Sequence, residues 1–179
     1  TIVCLHGYGV RGFFWEIIAP HLRESYGRVL TPDLEMESIE AALDSGRRLV
    51  EQAADEDGTA VDVVGHSLGA VIAALAARDL GPSRVGQVTL LAPPYGRNAN
   101  VPGPLVRFLL VHKLIPDFIT RPQFFTRHTP KHIQKSVFSR AVDETAALSA
   151  HLFSPTRFHT DMFDDRLSVP ALVVASEAD

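Results

Sequence analysis

Short, uninterrupted apolar runs alternate along this chain with segments whose apolar residues recur every three or four positions. The run from Thr1 to Leu5 is apolar and partly β-branched and stops at His6-Gly7-Tyr8-Gly9, as a buried strand entering a glycine-bearing loop would. Phe13 to Ser25 then predicts a helix, with Phe14, Ile17, Ile18, His21 and Leu22 on one face and Gly27 placed to end it. A second strand is expected over Arg28 to Leu34 and an amphipathic helix over Ser38 to Ala54, through Ile39, Ala42, Leu43, Leu49 and Val50. The run Ala60 to Val64 predicts a third strand, broken by Gly65 and followed at once by an alanine-rich helix from Leu68 to Leu80, which Gly81-Pro82 stops. Val85 to Ala92 and Val169 to Ala175 complete the set, each with the unbroken apolar character of strands covered on both faces. This alternation predicts an α/β fold: a mostly parallel sheet flanked by helices, with right-handed crossovers.

The interval between the last two runs, 93–168, is too long for a loop joining neighbouring elements. It is expected to be an inserted, largely helical lid, so that 1–92 and 169–179 form the core and 93–168 the inserted subdomain. Prolines and glycines open it (Pro93, Pro94, Gly96, Pro102, Gly103, Pro104), and helices are expected over Leu105 to Leu114, Pro130 to Arg140 and Val142 to Leu152.

Composition narrows the partners. The 17 basic residues against 21 acidic ones leave a net charge of −4, which offers no general attraction to nucleic acid or to an anionic membrane. No apolar run has the roughly 18 residues of a membrane span, so no stable membrane insertion is expected. The single cysteine, Cys4, has no partner for a disulfide and sits in an apolar run, as a core residue. A cytoplasmic location is expected, although the chain opens on a strand at Thr1 and closes just after another, so both ends read as cut. Oligomeric state is not legible.

The strongest chemical signal is Gly65-His66-Ser67-Leu68-Gly69, between the third strand and the small-residue helix. A serine hydroxyl is a poor nucleophile unless a tight turn exposes it to a base and the first helical N–H groups face the developing oxyanion. Glycine two residues to either side relieves the crowding of such a turn. With His6-Gly7-Tyr8-Gly9 at the end of the first strand, the sequence resembles the α/β-hydrolase family. That resemblance implies that Ser67 is the nucleophile and that the backbone N–H groups of Tyr8 and Leu68 form the oxyanion hole. It implies five strands corresponding to the third to seventh of the family's usual eight.

The resemblance extends to the apolar run opened by Val169-Pro170, where Asp179 matches the family's triad acid. The alternative acid position, after the fourth strand, holds Pro93-Pro94-Tyr95 and no carboxylate. The base histidine would follow Asp179 by about 25 to 30 residues in the family's chain order. The eight histidines present all precede Asp179 and read as packing or surface residues. Thr31-Pro32-Asp33-Leu34 fits the family's loop after the fourth strand, with Asp33 structural, but Glu35-Met36-Glu37-Ser38 replaces the usual glycine-containing turn.

The implied chemistry is hydrolysis of a carboxylic ester through an acyl-enzyme on Ser67, needing no metal or organic cofactor. Thioesterase, lipase-like, C–C bond hydrolase and acyltransferase activities would use the same residues, and a non-catalytic binder would keep the pocket. Eight of the ten phenylalanines fall in 93–168 and suggest either an apolar acyl or aromatic pocket, or the lid's own small core. The expected partner is a small apolar ester.

Overall fold

The structure, a computed structural model, describes residues 1–94, 103–112, 114–115, 125, 129–154 and 167–175. Strands β1 (Ile2–Leu5), β2 (Val29–Leu30), β3 (Val61–His66), β4 (Val85–Leu91) and β5 (Ala171–Val174) form one sheet in the order β2-β1-β3-β4-β5. Every pairing is parallel, with Val3 opposite Leu30 and Val63, and Val64 opposite Thr89.

Alternation along β1 divides the core into two layers. Val3 and Leu5 join Val61 and Val63 against helices α2 (Ile39–Asp57) and α3 (Leu68–Leu80). Ile2 and Cys4 face the other way, with Trp15 and Val64, under Phe14, Leu22 and Tyr26. Helix α3 is buried at every position from Leu68 to Ala77, as expected of a helix covered all round. Only small and aliphatic side chains fit so close to a sheet, and its run of alanines supplies them. Cys4 is fully buried, and burial pushes its thiol up to about 12, so it remains a protonated core residue.

Three expectations are corrected. The helix over Phe13 to Ser25 is instead a 3-10 turn, Gly12–Trp15, followed by a short α1 (Ala19–Leu22). Pro20 has no N–H and fits only the first turn of a helix, so it restarts the helix rather than continuing it. The predicted buried face fails with it: Ile17 and Ile18 are exposed, while Trp15 is buried. The second strand shrinks to Val29–Leu30, because Pro32 cannot donate to the sheet.

The third correction concerns the helix expected over Val142 to Leu152, which starts only at Ala146, where the Thr145 hydroxyl caps it by accepting from Leu148 N–H. Strand β5, expected to be covered on both faces, is exposed at all four positions among the described residues, Leu172 by 58% and Val173 by 57%, and pairs in parallel with β4. Between β4 and β5 the chain forms α4 (Pro104–Val111), α5 (Lys131–Ser139) and α6 (Ala146–Leu152). Among the described residues no helix is long and apolar enough to cross a membrane.

Candidate active site

The residues singled out by the sequence lie where β1, β3 and β4 end at the same edge of the sheet, the edge at which parallel α/β sheets hold their ligands. Ser67 is the whole connection between β3 and α3. It adopts φ 52° and ψ −120°, a conformation that L-residues avoid and that costs on the order of 1–3 kcal/mol. Hydrogen bonds on both sides fix it: Ser67 N–H donates to the Leu91 carbonyl (2.9 Å) and the Ser67 carbonyl accepts from Ala70 N–H (2.9 Å).

The flanking glycines explain how so sharp a turn packs. A Cβ on Gly65 would lie 2.1 Å from the Gly69 carbonyl oxygen, and a Cβ on Gly69 would lie 2.2 Å from that of Leu5. Gly65 therefore lets the helix close on its own strand, and Gly69 lets it close on β1. The second contact is the one that joins the two motifs.

The loop after β1 meets the turn directly. A Cβ on Gly7 would come within 3.1 Å of both the Ser67 Cβ and the His66 carbonyl oxygen, so the backbone of this loop passes against the serine. His6, fully buried, holds the loop from beneath. Its Nδ1 donates to the Gly7 carbonyl (2.9 Å), and its Nε2 accepts from Leu34 N–H (3.0 Å). With both nitrogens engaged, His6 is a structural strut. Asp33 has a similar duty, accepting from Gly12 N–H at 2.7 Å.

Beside this turn is a cavity of about 170 Å3 lined by Tyr8, Phe14, His66, Phe125, Phe138 and Val142, among others. Its walls are aromatic and aliphatic apart from His66, whose ring stacks on Phe14 with centroids 4.6 Å apart. Phe125 and Phe138 pack edge to face at 5.2 Å, so part of the phenylalanine content of 93–168 faces this space. Phe118, Phe124, Phe158 and Phe163 lie outside the described residues.

Burial lowers the pKa of both His6 and His66 from the usual histidine value, desolvation being the largest cause in each. The unfolded chain thus binds more protons below about pH 6.5, and the stability gained by burying neutral imidazoles is complete above that pH and lost as pH falls through it. Each histidine can contribute at most about 1.4 kcal/mol per pH unit. His66→Phe, which keeps the ring stack, is expected to lose less stability than the parent between pH 7 and pH 5. Urea unfolding at the two pH values checks this, and equal losses would remove His66 as a source of acid sensitivity.

Residues 140–149 contribute contacts that sequence reasoning missed. Glu144, its side chain 2% exposed, accepts from Gly9 N–H (3.1 Å) and from both terminal nitrogens of Arg11 (2.5 and 3.3 Å). Val142 N–H donates to the Gly9 carbonyl (2.9 Å), and the Tyr8 hydroxyl pairs with the Ser149 hydroxyl (2.6 Å). Phe153 packs edge to face on Tyr8. Farther along, Arg140 bonds Glu16 (2.7 Å) and lies over the Phe13 ring. The only local hint was Arg11, a charge in an otherwise uncharged loop.

The structure brings together Ser67, Leu68 at the start of α3, and the loop carrying Tyr8. Asp179 lies outside the described residues, as do His128 and His159. Among the described histidines, His21 is exposed beside Glu24 and His112 lies against Phe108.

The sequence model of the alpha/beta hydrolase family matches residues 2–179. A search of curated proteins finds no match. Similar solved structures include a lipase-esterase related protein from Clostridium acetobutylicum ATCC 824, with a TM-score of 0.72 and 12% identity over 96% of this chain and 72% of that one. They also include the monoacylglycerol lipase of Paleococcus ferrophilus, with a TM-score of 0.66 and 17% identity over 96% and 71%. The epoxide hydrolase CorEH has a TM-score of 0.63 and 18% identity over 96% and 73%. At these identities the likeness is one of fold. With a family match over nearly its whole length and the parallel sheet described above, this chain belongs to the alpha/beta hydrolase family.

Proposed function

We propose that the protein is a serine hydrolase that cleaves a small apolar carboxylic ester through an acyl-enzyme on Ser67. The observation that carries this is the approach of Gly7 to Ser67, which sets the loop bearing Tyr8 beside the strained turn. Ser67 Oγ attacks the ester carbonyl, and the N–H groups of Tyr8 and Leu68 hold the oxyanion. Two such donors supply several kcal/mol, since losing one costs about 3–4 kcal/mol. The alcohol leaves with a proton, and water releases the acid from Ser67. Asp179 is assigned as the triad acid and a histidine beyond it as the base.

Serine at the turn argues against epoxide hydrolysis, which in this family uses aspartate there. Residues 93–168 act as a lid whose Phe125 and Phe138 close the cavity from one side. An apolar cavity of about 150 Å3 accommodates benzene, so the space here, about 170 Å3, suits one aromatic ring or a short branched acyl group.

On the complete protein, a fluorophosphonate probe is expected to label Ser67, and Ser67→Ala to abolish labelling. Labelling that survives the substitution would sink the assignment. Across p-nitrophenyl esters, kcat/KM is expected to peak at benzoyl or short branched acyl groups; a steep fall from acetyl onward would contradict the cavity's role.

A further inference from the structure

We infer that Glu144 is a positioning residue for the oxyanion hole, fixing the Tyr8-Gly9 loop so that Tyr8 N–H stays aimed at the carbonyl attacked by Ser67. This rests on the serine hydrolase reading and assigns to the lid a part in catalysis beyond covering the site.

A backbone N–H helps an oxyanion only if its peptide is already oriented, because a loop that must reorganise spends the gain on ordering itself. Gly9, with φ of 75°, follows Tyr8 directly and has a freely rotating backbone to be restrained. Glu144 takes the Gly9 N–H, Val142 takes the Gly9 carbonyl, and Ser149 takes the Tyr8 hydroxyl, so the loop is held on three sides by one segment. Thr145 locks that segment in turn: its hydroxyl donates to the Glu37 carbonyl (2.7 Å) and accepts from Leu148 N–H at the start of α6.

Glu144 is the centre of this arrangement. Its carboxylate is buried and engaged at both oxygens, and the Arg11 guanidinium reaches it in a two-point contact that also ties down the residue two places beyond Gly9. A carboxylate serving only as a surface ion pair would have no reason to be buried against a backbone N–H of the loop that, at Gly7, passes the nucleophile. The chemistry needs an acceptor at that point, and an amide oxygen can serve as one. The charge is needed chiefly to hold Arg11.

The experiment compares Glu144→Ala, Glu144→Gln and the parent in the complete protein, with steady-state kinetics on an aryl ester and hydrogen–deuterium exchange of peptides spanning 7–11. Glu144→Ala is expected to lower kcat by about 10- to 100-fold, below the loss of a whole donor, with KM within about twofold and faster exchange in 7–11. Glu144→Gln, which keeps an acceptor for Gly9 N–H, is expected to restore most of kcat and the slow exchange. Unchanged exchange in Glu144→Ala overturns the inference, and so does faster exchange with kcat intact, or a loss confined to KM. If Glu144→Ala does not fold, the inference stands or falls on Glu144→Gln, where a kcat at least about 10-fold below the parent with exchange in 7–11 still slow overturns it. Fluorophosphonate labelling of the parent separates the two levels: an unlabelled parent refutes the hydrolase reading, whereas a labelled parent with an unaffected Glu144→Ala refutes this inference alone.

Discussion

Replacing Ser67 with alanine is expected to lower kcat on an aryl ester by about 10^4- to 10^6-fold while leaving the fold intact. Loss on that scale follows because the nucleophile, its base and the oxyanion donors act as a unit, and without the hydroxyl only binding and oxyanion stabilisation remain. The turn itself adds a second, separable effect. Alanine inherits the strained φ of 52° at this position, whereas glycine adopts it freely. Ser67→Gly should therefore be as inactive as Ser67→Ala yet more stable than it by about 1 kcal/mol, the relief of roughly 1–3 kcal/mol less the entropy cost of glycine. Parallel thermal melts check this, with a difference of about 3 °C expected for a chain of this size. Equal melting temperatures would mean that the turn stores no usable strain.

How much of this was legible in the sequence depends on the range of the interactions. The boundary from β3 to α3 is read almost residue for residue, because a buried apolar strand, a glycine-flanked serine and a small-residue helix are consecutive and each is locally consistent. Helix α2 is anchored by the Ser38 hydroxyl accepting from Ala41 N–H and runs one turn past its predicted end, to Asp57. Where one residue serves two geometries, the pattern misleads: Pro20 suits the first turn of a helix as well as it breaks an interior, and the periodicity from Phe13 onward ignored it.

The clamp at Glu144 could not be read, for a different reason. The sequence places Asp143-Glu144-Thr145 in the first turn of a helix over Val142 to Leu152, whereas α6 starts at Ala146, and the partners of Glu144, Gly9 and Arg11, lie more than 130 residues earlier. Contacts of that separation leave no periodic trace in either segment. Ala171–Val174, by contrast, is a strand as its composition predicts, and it pairs in parallel with β4. The meeting of His6-Gly7-Tyr8-Gly9 with the Ser67 turn came from family resemblance and not from spacing. The structure supplies its physical basis in the two glycines of the elbow.

Those glycines carry the other large expected effect. Gly65→Ala and Gly69→Ala are each expected to destabilise the protein by about 3 kcal/mol or more, the upper end of the cost of overpacking. The reason is what the new methyl group would meet: at Gly65 the Gly69 carbonyl and the Ala70 nitrogen, and at Gly69 the carbonyl oxygens of Leu5 and His6, the nearest at 2.1 and 2.2 Å. These are backbone atoms, which cannot swing aside as a side chain would, so whole elements must separate. In Gly65→Ala, α3 moves off β3 and carries Leu68 N–H with it; in Gly69→Ala, β1 and α3 part and the Tyr8 loop moves away from Ser67. Both variants should lose fluorophosphonate labelling in whatever fraction still folds, although neither removes a group that touches substrate. Gly27→Ala, where a Cβ meets nothing within 4 Å, provides the control and should stay within about 0.5 kcal/mol of the parent. Chemical denaturation of the three variants decides the matter: if Gly69→Ala behaves like Gly27→Ala, the close approach of α3 to β1 does not hold the two halves of the site together.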